Sequence, residues 1–271
     1  MWRSSTDTLQ VWNRVMVEVE SMATQGYISR PGAWSFPDAL ELGTPGGGTL
    51  TWEESKSNLA LFAVTSSPIF LGNDPRETRM QDRLVDLLLN PDMLGVNQQY
   101  STEAAFAGGR IKSWFPALEL WAKPLVKPEN GAAVVLFNRG GLVMGESTGQ
   151  PMQPHCFDPE STLGPCVGCF IDVDSPQLAP CNDNVTASSG ATVMVLEFAD
   201  VPASWLGLSA TAEGAGSIAC DVFDIYGCPQ AGCGTDGAAQ GSSLGRFTEK
   251  WSATVPPHGS RFLRLENCTA A

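Results

Sequence analysis

Met1-Trp2-Arg3-Ser4-Ser5-Thr6-Asp7 opens the chain, and the placing of this heptad decides how the rest is read. It sets an arginine and a carboxylate four residues apart, just ahead of Leu9, Trp12, Val15, Met16, Val19 and Met22, which recur at helical spacing. That spacing predicts a helix over 9–22, with Asp7 or Thr8 able to cap its start. On an α/β scaffold, chemistry gathers at the carboxyl ends of strands, where strand turns into helix. A charged pair in such a place is expected to follow several apolar residues, yet only Met1 and Trp2 precede Arg3. The expectation is a chain cut through its catalytic domain.

Working outward, Arg30-Pro31-Gly32-Ala33-Trp34-Ser35-Phe36-Pro37-Asp38 holds many breakers and reads as a long ordered loop. Residues 53–65 return to helical spacing through Leu59, Phe62 and Ala63. Pro68-Ile69-Phe70-Leu71-Gly72 reads as a short buried strand ending in Asn73-Asp74-Pro75, and 76–90 as a helix stopped by Pro91. Helix, loop, helix, apolar strand and helix is the rhythm of α/β units covering a parallel sheet. After about residue 116 the rhythm changes. Runs at 118–125, 132–138, 192–198, 221–226, 247–255 and 261–265 are short, rich in Val, Phe, Leu and Trp, and separated by turn residues without helices between them. They predict an antiparallel sandwich, with Lys123-Pro124 at an edge or strand end.

At 43% hydrophobic content, 271 residues suffice for one large domain or two of ordinary size. The net charge of −13 and the lack of a Lys/Arg cluster exclude nucleic acid and anionic membrane as expected partners. No apolar run approaches the roughly 18 residues of a membrane span, and no signal-peptide pattern is seen at the start. All eight cysteines lie beyond residue 150. Two sequons, Asn184-Val185-Thr186 and Asn267-Cys268-Thr269, join them in pointing to the secretory pathway. An insertion at 141–190 holds His155, Cys156, Cys166, Cys169 and Cys181 amid Pro, Gly and Ser. Disulfides are its expected chemistry; a four-thiolate zinc site around Cys166-Val167-Gly168-Cys169 is the alternative. Connectivity is not readable from spacing, and with His155 and His258 as the only histidines, His-based triads are not expected.

Trp2-Arg3-Ser4-Ser5-Thr6-Asp7, Pro31 to Gly43, Ser67 to Asp74 and Asn90 to Gln98, in that order, resemble glycoside hydrolase family 27, the α-galactosidases and α-N-acetylgalactosaminidases. The resemblance extends to Trp121-Ala122-Lys123-Pro124-Leu125 and to 134–139 and 255–265, but not to the cysteine-rich insertion. It implies an α/β plus all-β chain: residues 1–116 as the C-terminal part of a (β/α)8 barrel, and 117–271 as an antiparallel β-sandwich. It also implies a retaining mechanism, in which two carboxyl groups about 5 Å apart act as nucleophile and as acid/base. Carried over by motif, Asp7 matches the general acid/base, Arg3 an arginine that binds sugar hydroxyls, and Asp38 a carboxylate accepting bonds from them. The family's nucleophile belongs to a Lys-x-Asp motif that has no counterpart among these residues. The resemblance therefore implies a chain that binds an α-galactoside-type substrate, needs no metal or organic cofactor and is catalytically silent alone. The alternative is a non-catalytic carbohydrate-binding or structural derivative. Phe36 departs from the family's Trp-Asn-Asp-Pro-Asp form, and the choice among galactose, N-acetylgalactosamine and arabinopyranose stays open, as does the oligomeric state.

Overall fold

The protein is represented by a computed structural model, which describes residues 1–8, 12–43, 50–76, 85–114, 117–128, 130–140, 191–209, 217–227 and 241–270. Its strands are β1 (Trp2–Arg3), β2 (Ser35–Phe36), β3 (Gly109–Trp114), β4 (Leu118–Leu125), β5 (Gly131–Asn138), β6 (Thr192–Glu197), β7 (Ile218–Asp224), β8 (Ser242–Thr248), β9 (Lys250–Val255) and β10 (Ser260–Ala270). Its helices are α1 (Trp12–Met22), α2 (Trp52–Val64) and α3 (Pro91–Asn97).

β5 reads Gly-Ala-Ala-Val-Val-Leu-Phe-Asn, and all eight residues are buried. An antiparallel strand with one wet face would alternate in polarity; this one is covered on both. It lies inside a six-stranded antiparallel sheet ordered β3-β4-β5-β10-β7-β8. Ala133, Val135 and Phe137 point to α1 and α2, joined by Trp121 and Phe262. Ala132, Val134 and Leu136 point the other way, onto Met194, Leu196, Trp251 and Val255 of the two-stranded sheet β6-β9. The result is helices, sheet and ribbon in three layers around two cores. A disulfide, Cys220–Cys268, ties β7 to β10.

α2 is the inner helix, with every residue from Glu54 to Val64 buried. Thr51 and Glu54 form a capping box at its start. Its polar side chains find partners: Ser55 Oγ accepts from the Gly43 amide, Ser57 donates to His258 O, and Asn58 donates to Glu41 O. Where α1 meets the sheet, four charges close on one another. Arg110 bonds Glu20 and Glu119 at 2.9 and 2.8 Å; Arg139 bonds the same two carboxylates, and Trp121 Nε1 donates to Glu119. Burial alone would raise Glu20, but Arg139 and Arg110 outweigh it and hold the carboxyl below its ordinary range.

Several expectations are corrected by packing. Pro91 does more than follow the end of a helix, whose last helical residue is 88: it is the first residue of α3, preorganised there by its fixed φ, and Asn90 caps it by accepting from the Asp92 and Met93 amides. Of the helix expected over 76–90, residues 85–88 are helical and 77–84 lie outside the described residues, as do 9–11 of the first helix. The run at 247–255 is two strands of different sheets, β8 and β9, that meet at Glu249, whose positive φ turns the chain without a glycine. Residues 68–72 form no buried strand: Phe70 and Leu71 are 43% and 39% exposed, and Leu71 makes a single parallel bridge with Leu40. The loop at 30–38 contains β2. The antiparallel sheet begins at Gly109, and β4 is interior to it. Pro124 is tolerated because β3 pairs no further along β4 than Ala122. Lys123 is fully buried, donating to Val96 O and Asn97 O at the end of α3, and burial lowers it to about 7. The insertion at 141–190, with His155, Cys156, Cys166, Cys169, Cys181 and the Asn184 sequon, and Cys228 and Cys233 with it, lies outside the described residues.

Candidate functional site

Three short parallel segments run side by side in the N-terminal half. β1 pairs with β2 in the register Trp2↔Ser35 and Arg3↔Phe36, extended by Ser4 N donating to Phe36 O at 2.8 Å and Ser5 N to Pro37 O at 3.1 Å. Leu40 then takes up the next neighbour, donating to Phe70 O and accepting from the Gly72 amide. Asn73 clamps this end, its side-chain amide both accepting from Leu42 N and donating to Leu42 O at 2.8 Å. Asp7, Asp38 and Asp74 all follow the carboxyl ends of these segments.

Arg3, Asp7 and Asp38 come together there. Arg3 Nη2 lies 2.5 Å from Asp7 Oδ1 and 3.1 Å from Asp38 Oδ2, and Thr8 N donates to the same Asp38 oxygen at 2.7 Å. One guanidinium thus spans two carboxylates, which its planar fork suits. Their accessibilities differ: the Asp7 side chain is 91% exposed, Arg3 37% and Asp38 18%. The hydrogen bond to Asp7, with the field of Asp38, raises Arg3 above its ordinary value. Asp74 stands apart, paired to Arg76 and held below its ordinary value by that contact.

Two further carboxyl groups face this cluster. Glu18, on α1, is 1% exposed, and neither of its oxygens has a hydrogen-bond partner. Burial first, then the charges of Asp38 and Glu41, push it up to about 8. Thr8 and Arg3 oppose that rise, but the Thr8 contact lacks hydrogen-bond geometry. Glu41 is raised likewise, by burial and by Asp38. Glu18 carried a signal in the sequence: it sits three residues after Val15 and four before Met22, on the apolar stripe rather than the wet face. Phe36, two residues before Asp38, meets Phe70 edge-on with ring centroids 5.3 Å apart, leaving an aromatic surface beside the charges. An open carboxylate, a more enclosed one and a fixed arginine between them can exchange hydrogen bonds with a polyhydroxylated ligand and pass a proton at Asp7.

Residues 1–99 match the family model described as alpha galactosidase A. Over 138 residues the chain is 33% identical to the α-galactosidase of Cyamopsis tetragonoloba, covering 51% of this chain and 31% of that protein. Over 141 residues it is 29% identical to the α-N-acetylgalactosaminidase of Homo sapiens, covering 51% and 32%. Among solved structures, α-galactosidase I from Mortierella vinacea aligns with 99% of this chain and 49% of its own, at TM-score 0.55 and 17% identity. A β-L-arabinopyranosidase from Geobacillus stearothermophilus aligns with 98% and 44%, at TM-score 0.59 and 16% identity. At such identities the structural likeness speaks for the fold. The chain is a relative of glycoside hydrolase family 27, the α-galactosidases and α-N-acetylgalactosaminidases. It spans about a third of the length of the curated relatives it matches.

Proposed function

We propose that the chain contributes the acid/base half of a retaining glycosidase site acting on terminal α-galactosyl residues. Asp7 is the general acid/base, and Arg3 and Asp38 bind sugar hydroxyls. The observation that carries this reading is the single guanidinium held between an open and a half-buried carboxylate at the ends of parallel segments. In this reading the segments belong to the last strands of a (β/α)8 barrel. Asp7 is exposed enough to reach a leaving-group oxygen, while Arg3 and Asp38 are fixed enough to orient the ring. Two carboxyl groups suffice for the chemistry, so no metal or cofactor enters. The second carboxylate, the nucleophile, is supplied by polypeptide outside these 271 residues. The Cys220–Cys268 disulfide and the exposed Asn267 sequon support a secretory-pathway setting.

The test is hydrolysis of an aryl α-D-galactopyranoside, with the chain alone and with the catalytically competent protein that contains it. The chain alone is expected to be silent, and turnover abolished by Asp7→Asn would overturn the assignment of the nucleophile elsewhere. In the competent protein Asp7→Asn is expected to lower kcat about 100-fold or more, least for the best leaving groups. An unchanged kcat would exclude Asp7 as the acid.

A further inference from the structure

The far end of α1 carries a second surface. Beyond Met22 the chain turns through Ala23 and Thr24 into a 3-10 turn at Gln25–Tyr27, and three rings meet there. Tyr27 lies against Phe106 with centroids 4.5 Å apart, and Phe106 stacks on Trp205 at 5.3 Å with planes only 24° apart. The approach is close because residue 26 is glycine: a Cβ there would stand 2.3 Å from the Phe106 ring. Phe106 is buried at 4% exposure, whereas Tyr27 presents its ring to solvent at 77%.

These rings line a groove of about 350 Å³, together with Thr24, Arg110 and Asp200. The charged groups are already held in place. Lys112 Nζ bonds both Asp200 oxygens, at 2.7 and 2.8 Å, and Arg110 is held by Glu20 and Glu119. Groups fixed before a ligand arrives cost little further ordering when it binds. An exposed ring presents a negative face to polarised C–H groups, and a fixed acceptor and donor lining the same groove match hydroxyls. A pyranose has that two-faced chemistry, apolar C–H on its faces and hydroxyls around its rim. The volume falls at the small end of the ligand-pocket range, roughly 300–1,000 Å³, enough for one or two sugar rings.

We propose that this groove is a carbohydrate-binding site for a pyranose ring, distinct from the Arg3–Asp38 cluster. The two stand at opposite ends of α1, an 11-residue helix about 16 Å long. The inference goes beyond the glycosidase reading and does not depend on the roles of Arg3, Asp7 and Asp38.

Methyl pyranosides, the α-galactoside first, are titrated into the chain up to tens of millimolar and followed by saturation-transfer NMR and calorimetry. Binding is expected to persist in Arg3→Gln, to weaken about tenfold or more in Tyr27→Ala, and to be kept in Tyr27→Phe, which retains the ring. Tyr27 is exposed, so its removal leaves the fold intact, as a matched circular dichroism spectrum would show. Binding lost in Arg3→Gln but indifferent to Tyr27→Ala would overturn the groove while sparing the first site. Binding of none of the pyranosides would also overturn it. Binding that needs Tyr27 and ignores Arg3 supports the groove even if the glycosidase reading fails.

Discussion

Where α1 meets the sheet, Glu20 and Glu119 face Arg110 and Arg139, two negative charges against two positive, each carboxylate touching both guanidinium groups. Where α1 meets the strand ends, Arg3 alone faces Asp7 and Asp38, with Glu18 and Glu41 close enough to feel them. The first cluster is buried and balanced. The second is partly open and carries more negative charge than its arginine can offset, a surplus that packing alone does not call for. Buried charge is costly unless it is neutralised within its own walls, and the surplus at the strand ends leaves hydrogen-bonding capacity that a ligand can satisfy.

Breaking the balanced cluster should give the largest effect. Glu119→Ala leaves Arg110 and Arg139 sharing Glu20 and strips Trp121 Nε1 of its acceptor. Removing one partner of a buried ion network typically costs about 3–5 kcal/mol. Urea unfolding followed by Trp fluorescence should show a loss of that order; a loss under about 1 kcal/mol would mean that the cluster is structurally as slack as the open one.

The unbalanced cluster should respond to pH with a definite sign. Glu18 has an ordinary value of 4.5 and a folded value of about 8, so between these the folded protein holds a proton that the unfolded chain releases. Its contribution therefore falls as pH rises, by about 1.4 kcal/mol per pH unit across that window, and levels off above it. Glu18→Gln removes this term. The variant should match the wild type near pH 5 and surpass it near pH 8, by an amount on the order of 3 kcal/mol. Parallel stability profiles from pH 5 to 9 would show that Glu18 is solvated or paired and that the surplus charge is smaller than the geometry indicates.

The same comparison explains what could be read in the sequence. The antiparallel sheet was legible because its strands carry Val, Leu and Phe in short runs, as in Ala132 to Asn138, and burial then follows from local pattern. Asp7, Arg3 and Asp38 were legible as a motif, and the fold brings them together. The balanced cluster was not legible, because Arg110 and Arg139 find Glu20 across 90 and 119 residues, and no local pattern encodes such a pairing. Phe70 and Leu71 misled for a related reason: an apolar run predicts burial only where neighbouring elements cover it. Pro91 misled because proline both ends one helix and begins another.

The smallest expected effect on stability is at Asp7, and it separates the two clusters most sharply. Its side chain is 91% exposed, and its bond to Arg3 is a surface pair between residues four apart. Such pairs contribute about 0–1 kcal/mol, and Arg3 keeps Asp38 when Asp7 is gone. Asp7→Asn should shift the urea midpoint by no more than the equivalent of about 0.5 kcal/mol, with unchanged cooperativity, at any pH from 5 to 8. Removing a charge at the balanced cluster costs stability because its partners stay buried. Removing this one leaves its partner both solvated and still paired. If Asp7→Asn destabilises the fold as Glu119→Ala does, Asp7 belongs to the architecture, and the surplus of carboxylates has to be explained by Asp38, Glu18 and Glu41 alone.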